Sequence, residues 1–187
     1  MRVGVWVLEA FEGLVRRIVE CFNAVGLDYM FTGALAVNYY GRARTTTDVD
    51  VVVAVSGKEW RKRLVSALKD TALVVYERKI DASLKSGYKI VTFEDSKSPL
   101  TVDIILSEEK LERRAGSVLG LPTFYQTPEG LILAKLRMIK ATVPRERALK
   151  DEEDVKAILR FTKVDVETVK QRARKDSTLS IFGELLG

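Results

Sequence analysis

Two aspartates, Asp48 and Asp50, stand two positions apart at the head of a valine-rich run that continues to Val55. Such a run reads as a buried strand, and on a strand positions i and i+2 project from the same face. The two carboxylates therefore point together. Adjacent acids repel, and each ionised acid loses hydration on burial. A divalent cation relieves both costs, which makes the pair a candidate metal ligand. Taken alone, an Asp-x-Asp is more often the solvated start of a strand. Asp103 adds weight, because it is the one acid inside the apolar run Leu100 to Leu106, and a single charge among apolar neighbours needs a partner. If the two strands lie side by side, three carboxylates converge. Such a set can hold two magnesium ions for in-line phosphoryl chemistry. An edge-strand acid facing water is the alternative reading of Asp103.

The elements that must position these acids follow from periodicity. Leu8, Phe11, Leu14, Val15, Ile18, Val19, Phe22 and Val25 recur at helical spacing, with Gly26 as the stop. Cys21 lies on that apolar face and reads as a core thiol. Tyr29 to Thr32 reads as a short strand, Ala34 to Tyr40 as a short helix, and Gly41 to Thr47 as a polar connector. A helix is expected from Lys58 to Lys69 and a strand from Leu73 to Tyr76. Tyr88 to Phe93 and Leu100 to Leu106 read as a hairpin turning at residues 95–99. A weaker strand is expected between Ser117 and Tyr125. Thr127-Pro128-Glu129 is a helix start, and that helix should reach Ala141. Further helices are expected from Leu149 to Phe161 and over 166–186. The fold class is α/β (α+β): a mixed β-sheet flanked by helices over residues 1–126, with a helical C-terminal region over 127–187 packed on this core.

Composition narrows the chemistry. The 187 residues suffice for one domain with a helical appendage. There is no histidine, which excludes Ser-His-Asp hydrolysis, Cys-His catalysis and His-ligated zinc. A single cysteine excludes an intrachain disulfide and a cysteine zinc site. A metal must then sit on oxygen ligands, which points to Mg2+ or Mn2+. A carboxylate is also the natural general base. The net charge of +5 permits a nucleotide or nucleic-acid partner without demanding one. No apolar run approaches the ~20 residues of a membrane span. Met1 to Ala10 has no secretory pattern, so a cytoplasmic protein is expected. Asn occurs only at 23 and 38 and Gln only at 126 and 171, which suits the amide depletion of thermophile proteins, with chance in a short chain as the alternative.

The turn Gly33-Ala34 lets a phosphate approach backbone amides at a helix start, although a capping turn explains it as well. Phe31-Thr32-Gly33-Ala34-Leu35-Ala36-Val37, the Gly41-Arg42-Ala43-Arg44-Thr45-Thr46-Thr47 connector and Asp48-Val49-Asp50-Val51-Val52-Val53 together resemble the core of the nucleotidyltransferase superfamily. This is the fold of DNA polymerase beta and the minimal nucleotidyltransferases. Its pattern is a Gly-Gly or Gly-Ser turn, an Asp-x-Asp strand and a later strand acid. Ala34 stands where that pattern has Gly or Ser. The segments Thr127 to Leu136 and Arg147 to Val155 resemble the helical end of abortive-infection and toxin–antitoxin nucleotidyltransferases.

The resemblance implies transfer of a nucleoside monophosphate from an NTP to a hydroxyl of RNA, tRNA or protein, with pyrophosphate leaving. It implies that Asp48 and Asp50 hold the metal on the triphosphate. Asp103 would help hold a second metal and accept the hydroxyl proton. It further implies Gly33, Ala34, Arg42, Arg44, Thr45, Lys135, Arg147 and Lys150 as nucleotide-binding residues. For Arg42, Arg44 and the threonines the alternative is a solvated loop. For Lys135, in an apolar stripe, it is a snorkelling stem. For Arg147 and Lys150 it is an ordinary helix start. Tyr39 and Tyr40 can stack on a base or fill a core. The basic faces Lys58, Arg61, Lys62, Arg63 and Lys170, Arg172, Arg174, Lys175 suit RNA, but such runs are usually solvated. A small helical partner protein fits a toxin–antitoxin setting. The competing function is a non-catalytic nucleotide-binding or partner-binding domain.

Overall fold

The computed structural model describes residues 2–187 except 42, 45 and 88, and only the backbone of residues 2–6. In chain order the elements are α1 (Arg2–Ala24), β1 (Tyr29–Phe31), α2 (Gly33–Tyr39), β2 (Asp48–Ala54), α3 (Trp60–Asp70), α4 (Glu77–Ser86), β3 (Ile90–Glu94), β4 (Thr101–Ser107), β5 (Arg113–Val118), β6 (Leu121–Gln126), α5 (Pro128–Ala141), a 3-10 turn (Arg145–Ala148), α6 (Leu149–Phe161), α7 (Val166–Lys175) and α8 (Leu179–Leu186). They form two compact units, one of residues 1–32 and 45–125, the other of residues 33–44 and 126–187. No described helix is long and apolar enough to cross a membrane.

The first unit is built on a mixed six-stranded sheet ordered β3-β4-β2-β1-β6-β5. β2 pairs parallel with β4 and antiparallel with β1, and β3 and β4 form the expected hairpin. Val49, Val51 and Val53 of β2 and Val102, Ile104 and Leu106 of β4 project from one face and are fully buried. Leu14, Ile18 and Phe22 on the apolar stripe of α1 and Leu64 and Leu68 of α3 join this core. On the opposite face Met30, Val52, Ala54 and Leu111 form a smaller apolar cluster with Ile105 and Phe124. Cys21 is half-buried on α1. Burial, then the charges of Asp70 and Glu20, push its thiol pKa up, which keeps it protonated and unreactive.

Three local differences from the sequence reading have physical reasons. The strand expected from Leu73 to Tyr76 is only a bridge from Leu73 to Asp95, because Tyr76 already leads into α4. That helix has a weak apolar signal, with Ile80 and Ser83 its buried residues. Its ends are nonetheless well marked by Glu77 in the first turn and by Gly87, with φ of 75°, after the last. The weak strand expected between Ser117 and Tyr125 is a hairpin of β5 and β6. Leu119 and Gly120, both with positive φ, make its turn, the backbone that a tight hairpin requires. Tyr88, the expected start of the β3 strand, lies outside the described residues.

The second unit packs helices around α5, whose Leu131, Ile132, Leu133, Leu136 and Ile139 are buried. Thr127 caps α5 as expected, its hydroxyl accepting the Gly130 N–H at 3.3 Å. Residues 166–186 form two helices, α7 and α8. Gly41 meets the end of α6 so closely that a Cβ there would lie 2.7 Å from Phe161 Cβ. With φ of 122° as well, only glycine fits.

Tyr29 sits at the centre of the first unit, edge-on to Phe22, Phe31 and Phe124. Its hydroxyl shares a hydrogen bond with Thr123 Oγ1 at 2.9 Å and donates to Asn23 Oδ1 at 3.1 Å. Burial pushes its pKa above the ordinary tyrosine value. The folded state therefore keeps the phenol proton where the unfolded chain loses it, so stability is full below about pH 10 and falls as pH rises beyond it. Urea unfolding between pH 9 and 11 should show this decline in the wild type and a shallower one in Tyr29→Phe.

Candidate active site

Asp48, Asp50 and Asp103 come together in the first unit. The parallel register sets Asp50 directly beside Asp103, with Asp48 one pleat away on the same face. Each carboxylate contributes an oxygen within 4.8 Å of the other two, and all three are half-buried. At that spacing, with an effective dielectric of about 20, each ionised pair repels by about 3 kcal/mol. Two threonines hold the outer acids. The Thr46 hydroxyl donates to Asp48 Oδ1, and the Thr92 hydroxyl, paired across the hairpin, donates to Asp103 Oδ1. Each bond fixes one oxygen and leaves the other for a ligand. The backbone of Asp50 is tied in as well, its carbonyl accepting the Thr32 N–H at 3.0 Å.

This set suits a hard divalent cation. The donors are carboxylate oxygens only, with no nitrogen or sulfur to favour zinc or copper. They converge with no cation drawn into an ion pair with Asp48 or Asp103 among the described residues.

Gly33, Ala34, Arg44, Lys135, Arg147 and Lys150 fall in the second unit. Gly33, with φ of 55°, opens α2, and Ala34 is buried behind it. Arg42 and Thr45 lie outside the described residues. Arg147 and Lys150 are exposed. Tyr40 belongs to the core, its hydroxyl donating to the Gln126 carbonyl at 2.7 Å, while Tyr39 is partly exposed. Lys135 is 6% exposed. Its ammonium lies 2.8 Å from both Asp151 Oδ1 and Asp154 Oδ2. Asp154 is fully buried and also meets Arg44 Nη2 at 3.3 Å. Asn38 brackets the Arg44 backbone, accepting its N–H at 2.9 Å and donating to its carbonyl at 3.0 Å.

Thr92 and Asp154 were not singled out from the sequence. Thr92 is visible only through strand register. The signal for Asp154 was indirect, because a lysine in an apolar stripe asks for a buried acid.

No family model and no curated protein sequence matches this chain. Solved structures do. The solution structure of the antibiotic-resistance factor ANT(2'')-Ia aligns with a TM-score of 0.68 at 13% identity, covering 96% of this chain and 99% of that one. The crystal structure of ANT(2'')-Ia in complex with adenylyl-2''-tobramycin aligns with a TM-score of 0.66 at 14% identity, covering 90% and 99%. An antigenic nucleotidyltransferase-like protein from Paracoccidioides brasiliensis aligns at 0.51 and 13% identity, covering 90% and 92%. The chain has the nucleotidyltransferase fold, and it carries an acidic triad on adjacent strands of its sheet.

Asp154 is the anchor of the buried ion network. Removing it leaves Lys135 with Asp151 alone and strips Arg44 of its acid. Asp154→Ala should cost about 3–5 kcal/mol in urea unfolding, whereas Lys150→Ala, on the exposed side of the same helix, should stay within about 0.5 kcal/mol.

Proposed function

We propose that the protein is a metal-dependent nucleotidyltransferase that moves a nucleoside monophosphate from an NTP to a hydroxyl of RNA or protein. The observation that carries this reading is the convergence of Asp48, Asp50 and Asp103 on parallel neighbouring strands of a nucleotidyltransferase fold. In this reading Asp48 and Asp50 hold Mg2+ or Mn2+ on the triphosphate, and Asp103 serves both metal and acceptor. When bound, the metal supplies positive charge that offsets the negative charge of the triphosphate and its leaving group.

The chain's own residues do the rest. Thr46 and Thr92 keep Asp48 and Asp103 in fixed rotamers. Asp103 takes the proton from the acceptor hydroxyl. The hydroxyl oxygen forms a bond to the α-phosphorus, the bond from that phosphorus to the β-bridging oxygen breaks, and pyrophosphate leaves with the electron pair. Gly33, Ala34, Arg42, Arg44, Thr45, Lys135, Arg147 and Lys150 are proposed to bind the nucleotide. The resemblance of 127–136 and 147–155 to toxin–antitoxin enzymes suggests a small helical protein as a regulatory partner.

A second reading has its own support. The ANT(2'')-Ia structure with adenylyl-2''-tobramycin is matched over 99% of its length, which favours a small-molecule hydroxyl as acceptor.

Label transfer separates these. The protein is incubated with Mg2+, each α-labelled NTP in turn, and RNA, lysate protein or an aminoglycoside. Label should appear on one acceptor class. Asp50→Asn should reduce it at least a hundredfold, a loss of about 2.7 kcal/mol or more of transition-state stabilisation. Equal transfer by wild type and Asp50→Asn would remove the catalytic role of the acids.

A further inference from the structure

Helix α4 and strand β3 border an open groove of ≈ 360 Å³ in the first unit, lined by Lys79, Ala82 and Ser86 on one side and Ile90 and Thr92 on the other. Thr92 belongs to the groove and to the acidic site at once, because its hydroxyl donates to Asp103. The groove thus adjoins the carboxylate that receives the acceptor proton in the proposed reaction.

Its charge comes from how α4 is paired. The acids Glu77 and Asp81 are both held by α3: Arg61 grips both oxygens of Asp81 at 2.8 Å, and Lys69 meets Glu77 at 2.8 Å. These pairs hold both carboxylates below their ordinary pKa values, the hydrogen bonds being the main cause. Arg78, Lys79 and Lys85 remain exposed with no ion pair among the described residues. Lys79 lines the groove, and positions 78, 82 and 85 form the adjacent stripe of the helix, which places Arg78 and Lys85 on the helix face next to its wall. At the start of the helix the centre of the half-exposed Tyr76 ring lies 5.2 Å from Nζ of the groove residue Lys79.

We infer that this groove is the acceptor-binding site and that it takes the end of a single-stranded RNA, an inference that rests on the proposed transfer reaction. Cations along a groove follow a phosphate backbone, and an exposed aromatic ring provides a stacking surface for a base. The same cations repel a positively charged small molecule, and a regular row of phosphates matches them more closely than the scattered carboxylates of a protein surface.

The test is fluorescence anisotropy with an end-labelled single-stranded RNA of about ten nucleotides, without NTP, so that binding is read independently of transfer. Lys79→Glu with Lys85→Glu should weaken binding at least tenfold and flatten its salt dependence. Tyr76→Ala, which leaves charge unchanged, should weaken it about tenfold. Arg174→Glu with Lys175→Glu, an equal charge change in the second unit, should alter it less than about twofold. Circular dichroism melts confirm that each variant folds. Unchanged binding in the α4 variants, or equal loss in the Arg174/Lys175 variant, overturns the inference, as does label appearing on protein or a small molecule in preference to RNA. RNA binding that depends on α4, with no label transferred to any acceptor, supports the groove and overturns the catalytic reading instead.

Discussion

The repulsion among three half-buried carboxylates is the constraint around which the first unit is arranged. Parallel pairing of β2 with β4 forces Asp50 beside Asp103, a placement that like charges oppose. The sheet tolerates it because the same register buries Val49, Val51 and Val53 against Val102, Ile104 and Leu106 on the other face. A one-residue slip would exchange those faces and expose the whole valine row. The apolar face therefore locks the acids into a geometry they would not choose. Thr46 and Thr92 then fix their rotamers without neutralising them. A set of acids concentrated in this way is the mark of a site rather than of a scaffold.

The second unit treats charge in the opposite way. Asp154 is completely buried, yet Lys135 and Arg44 surround it and Asp151 shares the lysine. The two acids and two bases of this network balance one another, at a desolvation cost that their pairing must recover. Arg44 has its side chain on Asp154 and its backbone on Asn38, so the connector is anchored at that residue.

Much of this was legible in the chain. The triad could be read because strand periodicity is exact in its consequences: acids two apart share a face, and a single acid in an apolar run stands out. The helix start at Thr127-Pro128 was equally plain, since the capping chemistry is local. Helix α4 was not legible, because it buries few residues, Ile80 and Ser83, and so carries little apolar stripe to read. The strand Arg113–Val118 was hidden by two arginines, of which Arg113 is held by Asp28 and stacks on Phe124. Thr92 and Asp154 depend on register and packing, which are non-local. Asp154 in particular sits in the run Asp151 to Asp154, where nothing in the sequence tells the fully buried acid from its less buried neighbours.

Everything proposed for the first unit requires that Asp48, Asp50 and Asp103 form one divalent-cation site. Titration with Mn2+, followed by the loss of the free-ion electron paramagnetic resonance signal, tests it without reference to any acceptor. Saturable binding is expected for the wild-type protein and at least tenfold weaker binding for Asp50→Asn, with the fold of both preserved. Equal affinity in the two proteins, or no saturable binding to either, would contradict it.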